Sequence, residues 1–229
     1  MLGGAAVAIW CDVAPEAREE FDDWHAHEHM PERLSIPGFL RGSRWVSTDS
    51  RNGYFMLYEA DNEATVTTGP YLERLNNPTP WSRKMMPHHR NMTRSLCRLQ
   101  SSHGSGLAGS MLTIRFSSMP HAEGRLSRWL STELLPRLPS RKGLVAAHLL
   151  RAATGVPTEQ TTEQRIRGGD ASADWILLVN GYSADAVRTL AAKDLSEAAM
   201  LARGAAPGGI SCVHGLAFSM TANDIDRRC

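Results

Sequence analysis

The stretch Phe21-Asp22-Asp23-Trp24-His25-Ala26-His27-Glu28-His29-Met30-Pro31 returns 105 residues later as Leu126-Ser127-Arg128-Trp129-Leu130-Ser131-Thr132-Glu133-Leu134-Leu135-Pro136. The offset sets Trp24 on Trp129, Glu28 on Glu133 and Pro31 on Pro136. It carries outward to Ile9 on Ile114, Ala17 on Ala122 and Gly38 on Gly143. Spacing held constant across three elements marks the duplication of one folding unit. Between the copies, residues 101–109 are rich in Gly and Ser and suit a linker.

Each copy reads as an α+β unit. Residues 4–13 alternate and are rich in Val, Ile and Trp, as a strand requires. Pro15 and the acidic Glu16, Glu19 and Glu20 favour a helix start, and Ala17, Phe21, Trp24, Glu28 and Pro31 then share one helix face. Pro31 should clash with the His27 carbonyl and kink the helix after Met30. Strands follow at 39–47 and 54–59 with a turn at 49–53, then a helix at 64–75 and a strand at 92–99. The second copy gives strands at 110–117, 144–152, 174–180 and 209–219, with helices at 122–138 and 184–202. Its main departure is an insertion of about sixteen residues at 156–172, polar and Gly-containing, which reads as a mobile loop. The order βαββαβ is ferredoxin-like. The expectation is two domains, 1–103 and 109–222, whose antiparallel sheets cover each other within one chain; pairing with a second copy as a homodimer stands beside it.

Composition excludes several classes. With 229 residues, 42% hydrophobic and 21% charged, the chain has the make-up of a globular protein. A formal net charge of +1 provides no field to gather nucleic acid or an anionic membrane. The apolar N-terminal run stops at Asp12 and lacks a basic start, so it suits a first strand better than a signal peptide or membrane span. Cys11, Cys97, Cys212 and Cys229 form no CxxC pair, and a reducing cytoplasm is expected.

Comparing the two copies separates framework from chemistry. Trp24, Glu28, Pro31 and Gly38 recur and so serve packing, a polar contact and turns, whereas His25, His27 and His29 become Leu130, Thr132 and Leu134. Leucine shows what packing alone would accept there, so the first copy does something the second does not. Histidine titrates near pH 6.5 and can take and return a proton within one turnover. His29 is the best general acid/base; His25, one turn earlier on the same side, orients it or binds substrate; His27 faces away. Glu28 completes the catalytic candidates. Trp24, Arg44, Trp81, Arg83 and His88 are candidates for binding substrate, the last three from a basic, aromatic loop at 80–90.

His29-x-Pro31 followed by Pro37-Gly38 resembles the signature of EthD-like domains of the dimeric α/β-barrel superfamily. The stretches 37–42 and 77–81 look like a poorly characterised, tandem-repeat subgroup of it. The resemblance covers residues 5–100 directly and 110–220 through the repeat. It implies a barrel built from two ferredoxin-like units. It also implies a chemistry drawn from cofactor-free isomerases, cyclases, decarboxylases and oxygenases, or from haem-using enzymes.

His25-x-x-Glu28-His29 also spells the inverted zinc-peptidase pattern. Glu28 recurs without histidines as Glu133, a proline follows at once, and no third ligand is evident, so no metal and no cofactor are expected. Gly104-x-Gly106-x-x-Gly109 precedes a strand rather than following one, the wrong context for a dinucleotide site. The functional expectation is a cofactor-independent lyase or isomerase acting by acid/base chemistry on a small organic acid, lactone or aromatic, polyketide-like carbonyl compound. A non-catalytic small-molecule-binding protein and a haem- or metal-dependent oxygenase are the alternatives.

Overall fold

The computed structural model describes residues 1–49, 53–67, 69–153 and 160–225. The first half runs β1 (Ala5–Val13), α1 (Arg18–Trp24), α2 (Met30–Leu34), β2 (Phe39–Ser47), β3 (Gly53–Ala60), α3 (Glu63–Thr67), α4 (Gly69–Asn76), α5 (Pro80–Met85) and β4 (His89–Gly104). The second runs β5 (Ser110–Phe116), α6 (Glu123–Arg128), β6 (Leu144–Ala152), α7 (Thr162–Arg167), β7 (Trp175–Gly181), α8 (Ala184–Ala192), α9 (Glu197–Arg203) and β8 (Ile210–Thr221). The strands close into one antiparallel barrel in the order β1-β3-β2-β8-β5-β7-β6-β4. Each half contributes four consecutive staves, and the seams are β2 with β8 and β4 with β6. The chain is therefore an α+β protein whose two ferredoxin-like units form a dimeric α/β barrel within a single polypeptide.

Strand alternation divides the core into three. On β1, Ala6, Ala8 and Trp10 point into the barrel, where Phe55, Met111, Ile176 and Leu178 complete an apolar interior. Val7, Ile9 and Cys11 point outward under the helices of the first half. The second half repeats the outward arrangement with Leu112 and Ile114. Among the described residues no helix is long and apolar enough to cross a membrane.

The structure corrects the sequence reading in five places. The helix does not break at Pro31. It widens beforehand into a π turn, His25–His29, in which the Met30 N–H reaches back to the His25 carbonyl, and then continues as α2. The second half repeats this at Trp129–Leu134, where the Leu135 N–H donates to the Leu130 carbonyl. A wider turn gives each proline ring room against the preceding turn, the contact that would otherwise force a kink. The first part of the proposed linker is strand: β4 runs on to Gly104, pairing with Ala146 of β6, because the seam needs those backbone groups. The loop at 80–90 begins with α5, whose N-cap Thr79 accepts the Ser82 N–H and whose first residue is Pro80. The helix expected at 184–202 is two, α8 and α9, the second capped by Ser196. The insertion contains α7, started by a Thr161–Gln164 capping box and ended by Gly168 at φ 86°. The part at 156–159, the turn at 50–52 and Cys229 lie outside the described residues.

Candidate active site

The π turn sets the geometry. Widened by one residue, it brings His25 and His29 onto the same side, both buried, with ring centroids 5.8 Å apart. They face a cavity between the helices and the outer face of the first half's sheet, floored by Ile9, Met56 and Tyr58. Trp24 lies against His29, centroids 4.4 Å apart, and is anchored by its indole N–H to Ser82 Oγ at 3.3 Å. The Tyr58 hydroxyl is 2.9 Å from His25 Nε2. Nδ1 of His25 and Nδ1 of His29 are buried and have no hydrogen-bond partner among the described residues. An unpaired buried nitrogen costs about 1–3 kcal/mol, and both of these nitrogens belong to imidazoles that line the cavity.

Arginines surround these imidazoles. Arg33, on α2, is almost fully buried and pairs with Glu163 and with Glu32. Arg167 holds Glu163 at 3.4 Å and Asp170 at 2.9 Å. Arg94, on β4, donates to the Tyr71 hydroxyl at 2.7 Å and forms no ion pair among the described residues. Burial, and next the charge of Arg33, holds His29 well below its ordinary value of 6.5. Burial and then Arg44 do the same to His25. His89 is pushed down to about 4, by burial and then Arg167. Burial raises the Tyr58 phenol. At neutral pH the cavity holds neutral imidazoles, an intact phenol and fixed cations.

Glu163 and Arg167 belong to α7, so the second half's insertion forms a wall of the first half's cavity. Asn76 Oδ1 accepts the Thr162 N–H at 3.0 Å, and Ala171 bridges to β4 through Arg94 N–H and Met92 O. The enclosed space is about 30 Å3, the scale of one or two waters.

The sequence candidates divide cleanly. Trp24, His25 and His29 line the cavity; His27 is exposed, as its position on the helix requires. Glu28 does not reach it, because its carboxylate accepts the Thr79 hydroxyl at 2.6 Å and thereby ties the π turn to α5. Trp81 is held by Glu20 at 3.1 Å, and Arg83 is exposed, donating to Pro78 O at 3.2 Å; neither lines the cavity, nor does His88. Its neighbour His89 does: it is the first residue of β4, and its Nδ1 is held by the Met86 carbonyl at 3.1 Å, whereas His88 ends the turn before the strand. Arg44 lies behind the helix on Asp22, within electrostatic reach of His25 but off the lining. Arg33, Tyr58, Tyr71, Arg94, Glu163 and Arg167 were not singled out by the sequence reading as site residues. One signal was available: under the same offset Arg33 falls on Leu138. Register adds that Tyr58, opposite Val7, corresponds to Val179, opposite Leu112. The second half fills the matching space with Leu130, Leu134, Leu138 and Val179, all buried. Among the described residues no three His, Cys, Asp or Glu side chains converge as a metal site.

No protein-family model matches the chain. No curated protein matches it either. Solved structures do, over both halves. An anthrone oxidase-like protein is 12% identical, with a TM-score of 0.63 over 96% of this chain and 94% of its own. A proposed monooxygenase from Fusobacterium nucleatum subsp. nucleatum is 7% identical, TM-score 0.63, covering 96% of each chain. One from Lactobacillus acidophilus is 9% identical, TM-score 0.60, over 96% of this chain and 97% of its own. At these identities the likeness establishes the fold: a ferredoxin-like dimeric α/β barrel in one chain.

Proposed function

We propose that this chain is a cofactor-independent enzyme that removes a proton from a small aromatic or polyketide-like carbonyl compound. His29 is the base, His25 its neighbour held by Tyr58, and Arg94 the cation that holds the resulting enolate or phenolate oxygen. The observation that carries this is the pair of buried imidazoles, each with an Nδ1 left without a partner among the described residues, in a cavity whose counterpart is filled with leucine. A neutral imidazole beside fixed arginines is a reluctant base, because its cation is repelled. It accepts a proton when the donor becomes an anion in the same step, so that a charge pair replaces a lone cation. Arg94 is suited to that anion, having a phenol and no carboxylate as partner. A substrate enters by displacing α7, and its return excludes water.

Delivery of the proton to another carbon gives an isomerase or lyase. Reaction of the carbanion with dioxygen gives an oxygenase, the reading favoured by the names of the anthrone oxidase-like protein and the monooxygenases that share the fold. A haem does not fit the residues present: Arg33, Glu163 and Arg167 set charged groups along the cavity wall, where the apolar faces of a macrocycle would have to pack. The EthD-like subgroup suggested by His29-x-Pro31 and a cytoplasmic location, in keeping with free Cys11, Cys97 and Cys212, belong to the same proposal.

The test is deuterium uptake by anthrone and by a 1,3-diketone in D2O, with dioxygen consumption followed in parallel. Exchange faster than solvent alone and lost in His29→Leu supports the reading. Dioxygen uptake on the same substrate selects the oxygenase, and exchange indifferent to His29→Leu sinks the assignment.

A further inference from the structure

The barrel interior is packed along most of its length but opens at one mouth into a second cavity of about 330 Å3. This lies at the end of the barrel. Ile9 points to the first cavity, while Trp10 beside it lines this one together with Cys11 and Asp12, where a shift in the β1–β4 register interrupts the alternation. Register sets Met111 against His214, Thr113 against Cys212 and Arg115 against Ile210, so Arg115, Cys212 and His214 share the inward face. Under the 105-residue offset Trp10 and Arg115 are equivalent positions. They meet at the mouth, the guanidinium 4.8 Å above the indole.

Two features of this mouth are unexplained by stability. Arg115 is half-buried, donates to Thr93 Oγ1 at 2.7 Å and forms no ion pair among the described residues. His214 is buried beside Phe55, ring centroids 5.6 Å apart; the Met111 and Cys212 carbonyls interact with its ring, yet its Nδ1 lacks a well-formed hydrogen bond among the described residues. The acidic groups are otherwise placed. Asp12 accepts from Asn91 at 2.7 Å, and Asp49 stands exposed on the rim. A guanidinium stacked on Trp10 with no ion pair among the described residues, on the same inward face as a buried imidazole whose Nδ1 is unsatisfied, matches a planar acid that enters carboxylate first.

We propose that the barrel mouth is a second ligand site, for a small organic carboxylate, gripped by Arg115 and hydrogen-bonded deeper in by His214 Nδ1. It does not depend on the reaction assigned to His29.

The test is a nuclear magnetic resonance titration of the full chain with benzoate and with its neutral isostere benzamide. Benzoate should shift the Trp10 indole N–H, assigned with Trp10→Phe, and the His214 ring saturably, with benzamide at least tenfold weaker. Arg115→Gln should weaken benzoate at least tenfold and Arg115→Lys should retain part of the binding, each checked by thermal melt; His29→Leu should bind as the parent does. Equal affinity for the two probes, full binding by Arg115→Gln, or shifts confined to the His29 cavity would each overturn the proposal. Should Arg115→Gln not fold, the benzoate–benzamide contrast on the parent chain decides it alone.

Discussion

At the scale of single residues, the second half acts as a built-in control. Leu134 occupies the place of His29 and is buried among the leucines of the second half. His29→Leu should therefore melt within about 1 kcal/mol of the parent, since it removes an unpaired polar atom and adds a side chain the fold already accepts. Turnover should fall about a hundredfold or more. The converse, Leu134→His, should leave turnover unchanged and cost about 1–3 kcal/mol for an unsatisfied imidazole; paired melts and rate assays check both. The histidines also set a pH dependence. His25 and His29 are held well below 6.5, His89 and His214 lie at about 4, and His148 at about 3, burial being the first cause in each. Below about pH 6.5 the unfolded chain binds protons that the folded chain refuses, so stability is complete above that value and falls with pH. Each such group contributes up to about 1.4 kcal/mol per pH unit. The melting temperature should drop between pH 7 and pH 5, less steeply in His29→Leu. A flat profile would mean that these imidazoles are solvated.

At the scale of elements, the π turn and α7 carry the argument, and neither was legible. The sequence showed the helix, its face and the histidine asymmetry, because apolar spacing and the repeat report packing directly. It could not show the π turn, because a proline is compatible with either a kink or a widened turn. It could not place α7, because what fixes that helix is the burial of Glu163 against Arg33, 130 positions away in sequence. A polar, Gly-containing insertion looks mobile until its partner is known. The pair gives a prediction. Glu163→Gln strips a buried guanidinium of its main counter-charge and should cost about 3–5 kcal/mol. It should also raise hydrogen exchange in α7 above that in β6 and β7. Arg33→Leu with Glu163→Leu should recover most of the loss, since Leu138 already fills the equivalent of Arg33. If the double variant is no more stable than Glu163→Gln, the pair is not what seats α7.

At the scale of the whole molecule, duplication explains both the legible fold and the hidden seams. The repeat announced two equivalent units, but the same 105-residue offset is silent on which strand edges meet, because seam contacts are long-range and each half carries both edges. The barrel joins β2 to β8 and β4 to β6, leaving no free sheet edge. Its interior cluster draws Trp10, Trp45 and Phe55 from one half and Met111, Ile176 and Leu178 from the other, so each half alone would expose an apolar sheet face and two open edges. A half should therefore be unable to persist as a folded monomer. Cutting the chain within 105–109, beyond the last paired residue Gly104, removes covalent continuity without touching either seam. The two fragments, co-expressed, should co-purify one to one and retain the parent's α7 protection; expressed singly, each should aggregate or pair with itself, as light scattering on a sizing column would show. A soluble, cooperatively melting monomer of either fragment would mean that the half is a domain in its own right and the barrel only its docked form. Retention of the His29 cavity in such a fragment is not expected either way, because Glu163 and Arg167 reach it from the second half. The proposed site is thus assembled across the duplication: the first copy brings His25 and His29, and the second supplies the wall that carries Glu163 and Arg167.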